Sequence, residues 1–212
     1  KENIKATFFI VGELISSKIE LLKKIVNQDH EISGHSYNHT RPLTQSVEEF
    51  KLDSTKLLVE LKEKLNIINP GYRAPCFSLD DERLKIIKEL NYSYDSSKIS
   101  AGFHPLYGSI NIKQYKKVFD NVYTDKTFTE FELPTQRFLN KNIPISGGGY
   151  LRILPWFLFK YLLRKYLKEN ETYFFFIHPF ELTNKYVTLP KDSSITSRLR
   201  FSIGRSKGTL RF

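Results

Sequence analysis

The stretch KATFFIVGELISSKIELLKKIVNQDHEISGHSYNH, residues 5–39, decides the fold. Its opening, Lys5–Gly12, is a short β-type run closed by glycine and reads as a buried strand. Leu14, Ile15, Ile19, Leu22, Ile25 and Val26 then recur at helical spacing, which predicts an amphipathic helix over 13–28. Glu31–Ser36 is a second short strand, with Gly34 near its end. Strand, helix, strand in so few residues is the unit of a parallel sheet.

Moving outward, the same alternation continues. Ser46 followed by Glu49 is a capping-box pattern that starts a helix running to about Leu65. Pro70-Gly71 ends the connection. Ser78, Asp80 and Asp81 open the next helix, which carries Leu84, Ile87 and Leu90, and Asn91–Asp95 is strand-like again. The first half is therefore α/β, either a barrel or an open sheet. The second half is less regular. Residues 100–122 read as an extended loop with short strands, Thr127–Leu133 alternates as a strand, and Pro155–Asn170 is a helix with a broad apolar face. Thr172–His178 is the most apolar strand and is expected to be central. Gly147-Gly148-Gly149 is a flexible turn without the strand–helix context of a phosphate loop.

Composition narrows the classes of function. Of the 212 residues, 40% are hydrophobic and 26% charged, the mix of a globular protein. The single cysteine, Cys76, excludes an intrachain disulfide framework and a cysteine-based zinc site. No apolar run approaches the roughly 20 residues of a membrane-spanning helix. The net charge of +10 invites nucleic acid or an anionic surface, but the lysines are scattered through helices and mixed with glutamate, which argues against a dedicated nucleic-acid patch. The dense basic zone is Arg198 to Arg211, where contact with an anionic membrane surface or polymer is open beside simple solvation.

Four segments hold the chemistry-bearing residues. In GHSYNH, His35 and His39 are four apart and share a face if the chain turns helically, so both imidazoles can reach one divalent ion. Their place after a strand end is where βα enzymes keep ligands. In PGYRAPCF, prolines on both sides hold Arg73 in a rigid loop, suited to a bidentate contact with a carboxylate. Asp95, at a strand end, is a partner for Arg73 or a turn cap. In FFIHPFE, His178 follows an apolar run that Pro179 stops, and histidine is the natural general acid near neutral pH. A nucleophilic Cys76 with His178 as base is a separate reading, without an evident third orienting residue.

In this order and spacing, ATFFIVG, HEISGHSYNH, GYRAP, a strand-end Asp and IHP resemble the polysaccharide deacetylases of the NodB-homology type, carbohydrate esterase family 4. ELNYSYDSS, IPISGGGYLRILP and FFFIHPFEL resemble the subgroup found with bacterial exopolysaccharide gene clusters, which leaves the location open between the cytoplasm and the cell envelope. The resemblance runs from about Lys5 to Leu182 and implies a distorted (β/α) barrel over 1–182, with 183–212 as a basic C-terminal extension. It implies removal of N-acetyl groups from a polysaccharide with a divalent metal, usually zinc, held by His35 and His39; cobalt, nickel and manganese also suit such ligands. It implies His178 as general acid, tuned by Asp95, or Asp95 acting through Arg73 on the base. It also implies an oxyanion donor from the backbone N–H of Cys76, and an acetyl pocket shaped by Phe176, where relatives often have leucine. The third ligand and the base are aspartates in a motif before the ATFF strand, where this sequence has only Lys-Glu-Asn-Ile-Lys, so a barrel lacking its first strand is expected. Ser96-Ser97-Lys98 replaces an aromatic motif of the family. Tyr37, Tyr72, Phe77, Tyr150 and Trp156 are candidates for stacking on sugar rings, with core packing as the alternative for each. An inactive glycan-binding relative is the other reading, and a basic scaffold leaves the histidine pair unexplained.

Overall fold

The computed structural model describes residues 4–102 and 104–182. The chain divides into two compact units, one of Lys1–Ile99 with Phe103–Glu132 and one of Ser100–Gly102 with Leu133–Phe212. The basic extension expected over 183–212 lies outside the described residues.

In the first unit, β1 (Thr7–Ile10) pairs in parallel with β2 (Glu31–Gly34), with Thr7 opposite Glu31. The predicted helix between them forms as two pieces, α1 (Leu14–Ser17) and α2 (Ile19–Asn27), because Lys18 leaves helical geometry at φ −124°, ψ 21°. Helix α3 (Val47–Leu65) starts at the complete capping box of Ser46 and Glu49 and stops at Asn66 in the left-handed conformation, which asparagine adopts at small cost. Helix α4 (Asp81–Glu89) is capped by the Asp80 side chain and leads to β3 (Tyr94–Asp95). Strands β4 (Lys116–Phe119), β5 (Val122–Thr124) and β6 (Thr129–Phe131) complete the unit.

A single residue joins the sheet across its middle. Tyr72 bridges in parallel to Gly34 on one side and to Asp95 on the other. The order is thus β1-β2-Tyr72-β3-β6-β5-β4. The helices bury Ile15, Leu22, Phe50, Leu57, Leu61 and Ile87 in one core with the fully buried Tyr72.

Two expectations change here. Among the described residues the strands do not close into a barrel. After β3 the chain adds β4, β5 and β6 as an antiparallel meander whose last strand returns beside β3, so the sheet is not carried round by further βα units. Strand β1 is also not buried: Thr7 and Phe8 are exposed and Phe9 and Ile10 half-buried, as befits the edge of a sheet.

In the second unit, β7 (Thr135–Phe138) and β8 (Lys141–Pro144) form a hairpin. Helices α5 (Gly148–Ile153) and α6 (Trp156–Glu169) follow, and Ile145, Leu151, Phe159, Leu162 and Tyr166 make the core. The segment 172–178, expected as a central strand, makes one bridge among the described residues, Phe176 to Gly147, and leaves Phe175 and Ile177 exposed. Tyr173 packs on the second core, and the Phe176 ring lies against Gly147.

Candidate active site

The parallel strands of the first unit deliver their next residues to one sheet edge. His35 follows β2, Arg73 follows the Tyr72 bridge, and Ser96 follows β3. This is the carboxyl edge, where parallel α/β folds place their chemistry.

His35 is half-buried, and its Nδ1 lies 2.5 Å from the carbonyl oxygen of Arg73. A carbonyl only accepts, so Nδ1 carries the proton and the lone pair sits on Nε2. His39 is exposed, and its ring centroid is 5.0 Å from that of His35 at an interplanar angle of 66°. The turn between them is tight. Ser36 and His39 both have positive φ, 63° and 58°, and the Tyr37 amide donates to Asp53 Oδ2 at 2.8 Å. The pair thus shares a face through a left-handed turn, not through the helical turn that the spacing suggested.

These two imidazoles fit part of a metal set. On one tetrahedral ion at about 2.1 Å from each nitrogen, two ring centroids would stand roughly 5 Å apart, and the separation here is 5.0 Å. A backbone carbonyl on Nδ1 is the usual device for fixing the tautomer of a ligating histidine. Among the described residues, no cluster of three or more His, Cys, Asp or Glu side chains completes the set.

The Arg73 side chain is tied to Ser96, the residue after β3. Its Nε donates to the Ser96 carbonyl at 3.0 Å and its Nη2 to Ser96 Oγ at 2.6 Å, and the guanidinium lies 4.2 Å from the Phe9 ring centroid. Burial lowers the guanidinium to about 10, against the raising influence of Tyr94, Asp95 and Glu130, so it stays a cation at neutral pH. Asp95 is fully buried. It accepts from the Ser97 amide at 2.7 Å and from Ser97 Oγ at 2.8 Å, and that hydroxyl in turn accepts from the Ala74 amide at 2.8 Å. Asp95 therefore braces the loop carrying Arg73 through Ser97, with the charge of Arg73 close by. Burial raises its carboxyl to about 6, with hydrogen bonds from Ser97 and the Arg73 charge pulling the other way. Glu130, its buried neighbour, is raised well above the ordinary range by burial and by Asp95.

Pro75–Phe77 is a single 3-10 turn in which Cys76 and Phe77 both have φ 54°. Two successive non-glycine residues in this region store strain of about 1–3 kcal/mol each. Cys76 is half-exposed, while Phe77 is buried edge-on to Tyr107 at 5.5 Å. The Tyr37 ring lies on Gly12, where an added Cβ would overlap it, and Lys56 Nζ sits 3.8 Å from its centroid.

The other predicted residues belong to the second unit. Phe176 and Tyr150 are half-buried, and the Phe176 ring lies against Gly147, where a Cβ would overlap it. His178 ends the apolar segment and stacks on Phe180, with centroids 5.2 Å apart. Its backbone amide donates to Glu181 Oε2 at 2.8 Å, and its Nδ1 is 3.3 Å from the same oxygen. Arg152 Nη2 reaches the other oxygen of Glu181 at 2.8 Å. Sequence reasoning gave no role to Glu130 or Glu181. Only Glu181 left a local signal: His-Pro-x-Glu puts proline at the first position of a turn and a glutamate where it can reach back to the amide before it.

Residues 1–94 match the family Polysaccharide deacetylase, and residues 96–212 match the family Domain of unknown function (DUF3473). Over 191 residues, 88% of the chain, the sequence is 25% identical to the peptidoglycan deacetylase of Helicobacter pylori, and it spans 60% of that relative's length. It is 29% identical over 97 residues to the peptidoglycan-N-acetylglucosamine deacetylase of Bacillus cereus, covering 43% of this chain and 34% of the relative. A solved structure of a CE4 family pseudoenzyme from Bacillus anthracis aligns with a TM-score of 0.41 at 25% identity, over 51% of this chain and 33% of the other. DUF3473 covers more than half of the chain, so the chain belongs to that family, and its first 94 residues belong to the polysaccharide deacetylase family.

Proposed function

We propose that the protein removes N-acetyl groups from the amino sugars of a polysaccharide, an exopolysaccharide or a similar glycan. The observation that carries this reading is the histidine pair. His35 is oriented by the Arg73 carbonyl at its Nδ1, and its ring stands 5.0 Å from that of His39 at the carboxyl edge of a parallel sheet. The similarity to the H. pylori peptidoglycan deacetylase over 88% of the chain supports the same chemistry.

His35 and His39 would hold a divalent ion, zinc in the first place. Such an ion supplies a Lewis acid for the acetamide carbonyl and lowers the pKa of water. Arg73 and Asp95, locked to Ser96 and Ser97, keep the GYRAP loop fixed so that the Arg73 carbonyl orients His35. The Cys76 backbone N–H is assigned to the oxyanion, and the strained turn that carries it suits a preorganised donor. His178 gives its proton to the departing amine nitrogen, and Phe176 bounds the acetyl group. Tyr37 and Tyr150 are the proposed aromatic contacts to sugar, while Phe77, expected in the same role, is buried against Tyr107. On the family pattern the remaining ligand and the base would be aspartates, and among the described residues no Asp or Glu joins His35 and His39 in such a cluster.

The two-histidine set also favours a second reading, a relative that binds glycan without cleaving it. Acetate release from N-acetylated oligosaccharides by the full-length protein, with and without chelator, separates the two. Chelator-sensitive release is expected; binding of the oligosaccharide with no release of acetate would leave the second reading standing.

A further inference from the structure

The second unit contains a buried charged cluster to which no role is assigned above. Arg152 and Glu181 are each 3% exposed, and their side chains meet at 2.8 Å. A buried ion pair is expensive to form, since desolvation costs several kcal/mol per ion, so it has to be met by near-complete hydrogen bonding. Glu181 satisfies this. One carboxylate oxygen takes the Arg152 guanidinium, and the other takes the His178 amide and faces the His178 ring at Nδ1. Burial pushes the Glu181 carboxyl up, but the His178 hydrogen bonds and the Arg152 charge outweigh it and hold the group below its ordinary range.

The chain is shaped to seat this carboxylate. Pro179–Leu182 is a 3-10 turn closed by the Glu181 amide donating to the His178 carbonyl at 2.8 Å. At Gly148 an added Cβ would overlap Glu181 Oε2, so only glycine lets the carboxylate approach this backbone. The Gly148 amide donates to the Phe176 carbonyl at 2.9 Å, which ties α5 to the segment that ends in His178. The triple glycine and the His-Pro-Phe-Glu run, separate in sequence, are parts of one arrangement.

We propose that Glu181 is the positioning residue of His178, seated by Arg152 and Gly148. The inference rests on the reading of His178 as the proton donor, and it names a carboxylate different from Asp95, whose acceptors are engaged with Ser97. A carboxylate at Nδ1 fixes the tautomer, so the proton that is exchanged with substrate sits on Nε2. The ring's other side stays in contact with solvent, since 38% of the His178 side chain is exposed.

The test reads the tautomer directly. In the 212-residue chain labelled with 15N, the imidazole signals of His178 are assigned by their loss in His178→Gln. Wild-type neutral His178 is expected to be predominantly Nδ1–H, Glu181→Gln to shift it toward the Nε2–H form that free imidazole side chains favour, and Glu181→Asp to restore the first state in part. A wild-type His178 already in the Nε2–H form overturns the proposal without any variant, which matters because Glu181→Gln leaves Arg152 buried without its counter-charge. The double variant Arg152→Met, Glu181→Gln removes both charges and gives the same readout in a neutral core. In the full-length protein, Glu181→Gln is expected to lower kcat roughly 100-fold with KM and bound metal unchanged. Should His178→Ala leave turnover intact while the tautomer responds to Glu181, the catalytic reading of His178 falls and the positioning contact stands. Should His178→Ala abolish turnover while the tautomer ignores Glu181, the positioning role falls alone.

Discussion

Asp95 and Glu130 are register partners across the parallel pair β3 and β6, and both carboxyls are fully buried. Glu130 Oε1 accepts from the Lys98 amide at 3.0 Å, while its Oε2 is buried with no protein donor. A proton held between the two carboxyls satisfies that atom and avoids two adjacent buried anions, which would repel strongly in a medium of low dielectric.

This arrangement makes stability depend on pH in a defined direction. The Asp95 carboxyl is raised to about 6 in the folded state, above its unfolded value of about 3.9. A raised carboxyl stabilises the fold fully below the unfolded value, and that contribution is lost as pH rises through the folded one. Urea unfolding of the wild type is therefore expected to weaken between pH 4 and pH 7, by on the order of 1–3 kcal/mol. Glu130→Gln keeps the acceptor for Lys98 and gives Asp95 a donor, so it should flatten that slope and raise stability at pH 7. An unchanged slope in the variant would show that the two carboxyls do not share a proton.

The histidine pair makes a prediction about affinity rather than stability. Disrupting a partner behind a ligating side chain typically costs 10–100-fold in metal affinity. Removing a ligand itself, in His35→Ala or His39→Ala, is expected to cost at least about 100-fold. Zinc titration against a competing chromophoric chelator measures it. Wild-type affinity in either variant would exclude that residue as a ligand.

Arg73 connects the two halves of this site, because its side chain is fixed to Ser96 while its carbonyl orients His35. Lysine keeps the charge but presents a point donor in place of a planar fork, and it cannot reproduce both contacts to Ser96 or the same stacking on Phe9. Arg73→Lys is thus expected to loosen the loop and weaken zinc binding about 10-fold or more through the carbonyl. Equal zinc affinity in Arg73→Lys and wild type would mean that the carbonyl holds its place without the fork.

How much of this was readable beforehand depended on the range of the signal. The helices of the first unit are written locally, in the capping box of Ser46 and Glu49 and in the periodic apolar residues of α2 and α4, and they formed close to where the sequence put them. The single-residue bridge at Tyr72 was not legible. It is set by pairing with Gly34 and Asp95, which are far away in the chain. Segment 172–178 misled for the opposite reason: five apolar residues from Tyr173 to Ile177 look like a central strand, yet among the described residues its bridge is to a glycine turn. In the site, His35, His39 and Arg73 were visible because they lie in motifs at strand ends. Glu130 lay in a strand whose alternation gave no hint that the inward residue was charged, and Arg152 lay on a short helix whose buried face only tertiary contacts reveal.

The two neighbouring glycines at the start of α5 give the sharpest contrast between local preference and packing. Neither Gly148 nor Gly149 has a positive φ, so alanine is sterically acceptable to the backbone at both. Replacing a helical glycine by alanine favours the helix by about 0.5–1 kcal/mol. At Gly149 nothing lies within 4 Å of an added Cβ, and Gly149→Ala is expected to be neutral or stabilising by that amount. At Gly148 the same methyl overlaps Glu181 Oε2, and the carboxylate cannot retreat without loosening Arg152 and the His178 amide. Overpacking of this kind costs about 1–3 kcal/mol, more than the helix gains, so Gly148→Ala is expected to destabilise the chain. Thermal unfolding of the two variants side by side reads the sign. Two alanines that behave alike would mean that the carboxylate of Glu181 is not fixed against the backbone of Gly148, because a free side chain would simply move aside.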